Sequence, residues 1–350
     1  MERPPDVPRP TFTRALVLLA ALVAVGAGAP AAGTATPLRI GMVADTNSVF
    51  DRSFNQSAYA GVRAAALRLG ARIDVRASPT TAYYLPSLRS MARAGYDLVI
   101  AIGPSEEEAL AEVARAYPSV RFAIVNDSYD APALRGLANV QGMLFKQQEA
   151  GYLAGYLAGR VELSRMPRLK PGNTVASLGG LVDQTADRYI AGFEAGVLAA
   201  DPAVRLLRNY SLSTSPARCH TVALSQIAAG ADIIFPVAGV CASGAWQAIN
   251  ENGIWGVGVE ADQSYIGASV LASAALRVDQ AVILLINAVH DGTFAGGRDV
   301  EFGLAQNAIG IPGINAAVPA SIRAKLNAVM SRMRAGRISI PTALSDPEER

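Results

Sequence analysis

The sequence predicts an α/β protein built from doubly wound parallel sheets, and three observations carry the prediction. Continuous apolar runs such as Asp97-Leu-Val-Ile-Ala-Ile102 and Arg121-Phe-Ala-Ile-Val125 read as strands covered on both faces. Helix-like segments separate them, so the strand–helix–strand unit repeats. Beyond Val140 the theme restarts, and 350 residues are more than one hydrophobic core usually serves, so two similar α/β halves are expected.

In chain order, residues 1–36 read as an export signal. Arg3, Arg9 and Arg14 lead, Ala15 to Ala29 is uncharged and apolar, and Gly26-Ala-Gly-Ala-Pro-Ala-Ala-Gly33 is a cleavage zone. The apolar run is shorter than the ~20 residues of a spanning helix, and an uncleaved anchor is the alternative. No cysteine lies near the cleavage zone, so no bacterial lipid anchor is expected, and the mature protein belongs in the periplasm or outside the cell. Leu38 to Val43 then reads as a strand, and Val62, Ala65, Ala66 and Leu69 mark a helix. Strands follow at Ile73–Arg76, Asp97–Ile102 and Arg121–Val125, with helices at Leu85–Ala94 and Glu106–Tyr117 between them. The second half opens with a helix, Gln147–Gly159, whose small residues Gly151, Gly155 and Gly159 allow close packing, then a Pro-rich basic linker, Arg165–Pro171. Strands are expected at Thr174–Leu178, Arg205–Leu207, Ala231–Val237 and Trp255–Val259, and helices at Asp187–Ala200, Cys219–Ala229, Gly244–Asn252, Asp279–His290 and Pro319–Ala335. Residues 345–350 are expected to fray.

Composition narrows the function. The chain is 51% hydrophobic, 17% charged and carries a formal charge of +2. No basic cluster is interleaved with aromatics and no zinc or helix-turn-helix spacing occurs, so nucleic acid is not an expected partner. His220 and His290 are the only histidines, so no metal site and no cofactor are expected. Neither a G-x-S-x-G elbow nor a phosphate-binding loop is present, and Cys219-His220 are adjacent, which is not how a nucleophile meets its base. The chain reads as a binder, not an enzyme. In an exported protein, Cys219 and Cys241 are expected to pair, closing a loop of about twenty residues worth on the order of 3 kcal/mol; two buried free thiols are the other reading.

The loops after strands collect one kind of chemistry. Asp45 and Asn55 follow the first strand, Asn126 and Asp127 the Arg121–Val125 strand, and Glu260, Asp262 and Gln263 the Trp255–Val259 strand, while Gly239 lies in a Gly-rich turn after Val237. In open α/β sheets ligands bind at the carboxyl ends of strands. Carboxylates there accept from ligand hydroxyl or N–H groups, Asn55 both donates and accepts, and Phe54 offers a flat apolar face. The set suits a planar, polar, heteroaromatic ligand.

The stretch Asp45 to Gly61, with Ser53-Phe-Asn-Gln56, resembles the signature of the basic membrane protein family, substrate-binding proteins of bacterial ABC importers that include purine nucleoside-binding lipoproteins. Similar segments run in order through Phe122-Ala-Ile-Val125, Gly151 to Ala158, Gly192-Phe-Glu-Ala-Gly196, Val237-Ala-Gly239 and Gly258 to Gln263. The resemblance implies a periplasmic-binding-protein type I fold, two lobes closing over ligand by hinge motion. It implies three crossings, near residues 143, 265 and 298. The N-terminal lobe would be 37–142 plus 266–297, and the C-terminal lobe 143–265 plus 298–345. In relatives, the position matching Asp45 contacts the base, that matching Phe54 stacks on it, that matching Asn126 is usually Asp, and Glu260 matches an Asp that takes ribose hydroxyls. A Lys that donates to the ribose falls here on Leu276. With Leu271–Asp279 read as helical, Arg277 would point about 100° away. The implied ligand is a purine nucleoside or related nucleobase, passed by a monomer to a permease and its ATPase. A receptor subunit serving a membrane sensor is the alternative. Tyr83, Tyr84, Tyr210 and Trp246 are candidates for a second aromatic wall.

Overall fold

Two six-stranded sheets with the same strand order organise the protein. The computed structural model describes residues 1–2, 36–46, 48–164 and 166–345; most of the expected export signal and the end of the expected frayed tail lie outside them. The first sheet holds β1 (Arg39–Val43), β2 (Arg72–Arg76), β3 (Leu98–Ile102), β4 (Arg121–Val125), β5 (Val140–Phe145) and, from far along the chain, β11 (Arg298–Phe302). Its order is β11-β5-β4-β3-β1-β2, all parallel. The second holds β6 (Thr174–Gly179), β7 (Arg205–Tyr210), β8 (Ile233–Val237), β9 (Trp255–Glu260), β10 (Val270–Leu276) and β12 (Ile309–Gly310), in the order β12-β10-β9-β8-β6-β7. Only the short β12 runs antiparallel to its neighbour. The architecture is that of two doubly wound α/β lobes.

The helices are α1 (Phe54–Leu69), α2 (Tyr84–Arg93), α3 (Glu107–Ala116), α4 (Gln147–Glu162), α5 (Gln184–Ala200), α6 (Pro216–Ala228), α7 (Ala242–Glu251), α8 (Val278–His290) and α9 (Ala320–Arg334). Local chemistry accounts for them. In α1, Ala58, Val62 and Ala65 face the core, and Gly70 ends the helix in the left-handed region, donating its N–H to the Ala66 carbonyl. Strands β3 and β8 are apolar and buried throughout, as parallel strands under helices must be.

Sheet membership moves the expected lobe boundaries. β5 and β11 pair in the first sheet, whereas β10 belongs to the second. The chain therefore changes sheets after Phe145, close to the expected 143, after Leu276 and not near 265, and after Phe302, a strand later than the expected 298. Residues 270–276 were expected in the N-terminal lobe and 298–302 in the C-terminal lobe; hydrogen bonding puts each in the other. Leu276 ends a strand and Arg277 is the residue before α8. The helical argument that turned Arg277 away from the Leu276 position does not apply.

The closest helix pairing joins α4 to α5. A Cβ on Gly151 would collide with the Tyr189 carbonyl, and one on Gly155 with that of Phe193. From the opposite helix, Gly192 faces the Gln148 carbonyl and Gly196 that of Tyr152. With backbone against backbone, no rotamer change relieves an added side chain. Gly155→Val is expected to lower the unfolding free energy by about 3 kcal/mol, at the upper end of ordinary overpacking costs, measured by urea denaturation. An unchanged midpoint would mean that the helices can separate freely.

Candidate functional site

A cleft opens where the carboxyl ends of the two sheets meet. One cavity, of about 550 Å³, is lined by Asp45, Ser48, Asp51, Phe54, Asn55 and Asn126 on the first lobe and by Glu260 on the second. A second, of about 330 Å³, is lined by Gly180, Asp183, Tyr189, Ser213, Thr214 and Gly239 on the second lobe and by Asn126 on the first. Asn126 and Glu260 belong to both, so the cavities are two halves of one cleft. The two residues occupy matching places, at the ends of β4 and β9, and both have left-handed backbones, with φ 60° and 67°. That conformation is uncommon for Asn and strained for Glu. It turns the chain sharply at the strand end.

Asp45 is held by its surroundings. The Tyr84 hydroxyl donates to its Oδ1, Ser105 Oγ donates to the same oxygen at 2.8 Å, and the Thr46 N–H does so at 2.6 Å. Burial opposes the charge, but the hydrogen bonds from Tyr84, Thr46 and Ser105 outweigh it and hold the carboxyl below its ordinary value. Oδ2 is the oxygen left over, and it lies toward Gly103, a residue lining the cleft. The Asp45 N–H donates to Asn55 Oδ1 at 3.0 Å, which orients the buried Asn55 amide so that its NH₂ is free to donate. Asp51 caps α1: its Oδ1 accepts from the Ser53 and Gln56 N–H groups and its Oδ2 from that of Asn55. This presents Phe54, the first residue of α1, to the cavity.

Glu260 faces a different field. Desolvation first, then the charges of Asp183 and Asp51, push its carboxyl up to about 7. Beneath it Tyr189 is fully buried, and its hydroxyl is raised well above its usual value by burial and by Glu260. Behind Asp45, Glu106 is buried, accepts the Ile102 N–H at 3.1 Å, and is raised to about 9 by desolvation and by Asp45.

Six of the expected residues come together in the cleft: Asp45, Phe54, Asn55, Asn126, Gly239 and Glu260. Asp127 does not line it. The turn at Asn126 sends Asp127 toward Ser128, whose N–H it accepts at 2.8 Å, and burial first, then the charges of Glu107 and Asp299, raise its carboxyl. Asp262 is also outside these two cavities and accepts the Ser264 N–H at 3.0 Å. Among the aromatic candidates, Tyr84 supports Asp45, Tyr83 is exposed, Tyr210 bonds Asp187, and Trp246 packs over Gly256. None lines the cleft. Ser105, Asp51, Asp183, Tyr189, Ser213 and Thr214 were missed, and Tyr84, expected as an aromatic wall, acts instead as a donor to Asp45. The loop after β6 is the counterpart of the loop after β1, and Asp183 sits there as the α5 cap, accepting the Ala186 N–H at 2.9 Å.

Cys219 and Cys241 form a disulfide with their Cα atoms 5.6 Å apart. It ties the turn after Gly239 to helix α6. Across the lobes, Arg188 of α5 pairs with Glu301 of β11 at 2.5 Å, and the Arg52 guanidinium lies 4.8 Å from the Tyr265 ring centre. Neither cavity is lined by Lys, Arg or His. The cleft presents carboxylates, amides and hydroxyls around one flat ring, an arrangement that receives hydrogen-bond donors.

Comparison with known proteins agrees with this geometry. The family described as "ABC transporter substrate-binding protein PnrA-like" matches residues 39–343. A CD4+ T-cell-stimulating antigen from Listeria monocytogenes is 30% identical, over 86% of this chain and 87% of its own length. An ABC transporter nucleoside-binding protein from Lactococcus lactis is 27% identical, over 88% and 90%. A solved solute-binding protein of an ABC transporter system from Conexibacter woesei superposes with a TM-score of 0.70 at 24% identity, covering 87% of this chain and 99% of that one, and shares its fold.

The raised carboxyls set a pH dependence. Glu260 near 7 and Glu106 near 9 lie above their ordinary 4.5, so between those limits the folded protein holds protons that the unfolded chain releases. Their contribution is most favourable below about 4.5 and is lost as pH rises through 7 and then 9. Urea unfolding at pH 5, 7 and 9 should give a falling stability, and Glu106→Gln should flatten the fall between 7 and 9. A rise in stability across that range would contradict the assignment.

Proposed function

Because the chain belongs to the PnrA-like family of ABC transporter substrate-binding proteins, we propose that its cleft binds a purine nucleoside or the related nucleobase and delivers it to an ABC permease. The observation that carries the reading is Phe54, flanked by the free Asp45 Oδ2 and the Asn55 amide and opposed across the cleft by Glu260. A purine would lie on the Phe54 ring. Its N–H edge would donate to Asp45, which stays ionised, while Asn55 and Asn126 satisfy ring nitrogens and exocyclic groups. Hydroxyls of an attached sugar would reach Glu260 and the second-lobe groups Asp183, Ser213 and Thr214. The nucleoside-binding name of the Lactococcus lactis relative supports the same class. Release would follow reopening of the lobes on the permease, with the Arg52–Tyr265 and Arg188–Glu301 contacts breaking.

The lining also speaks about charge. With acceptors on every side and no cation, the two cleft cavities favour neutral or donor-rich ligands over phosphorylated ones. Calorimetric titration of protein stripped of carried ligand, with adenosine, guanosine, inosine and their bases, tests the reading. Asp45→Ala is expected to weaken binding about 10- to 100-fold, the worth of one charge-assisted hydrogen bond. Heat from none of the six compounds would end the purine assignment.

A further inference from the structure

A third cavity, of about 520 Å³, lies on the hinge side of the cleft. It shares Ser53, Phe54 and Glu260 with the first-lobe cavity, so it is continuous with the place where a ring would stack. Its character is different. Leu276 and Ile309 are register partners of β10 and β12, and with Val278 and Ile311 they make a buried aliphatic wall, completed by Met330 of α9. Glu260 stands at its junction with the first-lobe cavity, and the charged groups beyond that junction are engaged or peripheral. Arg277 pairs with Asp279 at 3.0 Å, Asp262 accepts the Ser264 N–H, and Arg334 is an exposed residue in the last turn of α9. The hydroxyl and carboxyl groups that suit a sugar are gathered on the other side, at Asp183, Ser213 and Thr214. A sugar hydroxyl against the aliphatic wall would lose its water and find no partner. An alkyl or aryl group there would lose nothing.

We infer that this chamber receives an apolar substituent of the ligand, so that the preferred ligand is a planar nitrogen heterocycle carrying an aliphatic or aryl arm. The inference rests on the stacking of a heterocycle on Phe54 argued above. Leu276 is part of the wall that selects the arm. Burial of apolar surface supplies the gain in affinity, which scales with the area removed from water.

The test titrates stripped protein with adenine, adenine benzylated at the exocyclic amine, adenine benzylated at the glycosidic nitrogen, and benzyl alcohol. At least one benzylated adenine is expected to bind tenfold or more tighter than adenine. Asn327→Trp, at an exposed position of α9 that lines the chamber, should abolish the gain while leaving adenine affinity unchanged; Met330→Trp is the second filling variant. The inference is overturned if neither benzylated compound exceeds adenine, or if the gain survives both Trp variants. Should no adenine bind, the purine reading fails by itself. Benzyl alcohol must then still perturb the Met330 methyl resonance and lose that effect in Asn327→Trp; without the perturbation the chamber proposal fails as well.

Discussion

Helices α4 and α5 touch backbone to backbone, and the rest of the second lobe is placed by that contact. α4 starts directly after the first crossing between sheets, so its direction is fixed by β5. Gly151 and Gly155 on one helix and Gly192 and Gly196 on the other remove every side chain that could hold them apart. The contact brings the start of α5 to the seam, where Asp183 caps it and Tyr189 forms the floor below Glu260. A looser crossing would move those groups relative to Asn126, and the two half-cavities would no longer be one cleft. A packing constraint thus becomes a binding geometry.

The seam itself is made by two strand ends in an unusual backbone state. Asn126 and Glu260 close equivalent strands of the two sheets and both adopt the left-handed conformation. Such strain persists where the surroundings hold it, and here parallel sheets grip the residues just before each turn. The carboxylates of the cleft are then differentiated by their partners. Three donors keep Asp45 ionised, whereas desolvation and the charges of Asp183 and Asp51 hold Glu260 near its point of titration at neutral pH. One presents a fixed charge to the cleft, and the other can gain or lose its charge near neutral pH. The Cys219–Cys241 bridge holds the wall opposite, because it anchors the turn carrying Gly239 to α6.

Much of this was legible in the chain before folding. Fully buried parallel strands such as β3, β4 and β8 announce themselves as apolar runs, and the glycines of α4 signalled the close approach. The strands that went unread each lack that signal. β5 is interrupted by Gln141 and Gly142, β10 is rich in Ala and reads as helix, β11 carries Arg, Asp and Glu at a sheet edge, and β12 has two residues. Their sheet membership is set by distant pairing, so the lobe boundaries shifted with them. At the site, the rule that ligand groups gather at strand ends located Asp45, Asn126 and Glu260. It could not tell Asn126 from Asp127, since that depends on a single left-handed turn. Nor could it reveal that Tyr84 serves as a donor and not as an aromatic wall, since that role comes from contact with Asp45 across 39 positions of sequence.

On the proposed reading, the acceptor-lined cleft around Phe54 and Glu260 is a site for a purine-like ring. Native mass spectrometry of the protein as purified, without refolding, followed by identification of whatever is released on denaturation, tests it most directly. One small molecule per chain, absorbing in the ultraviolet and containing a purine ring, is expected. A carried sugar or amino acid lacking a heterocycle would contradict it.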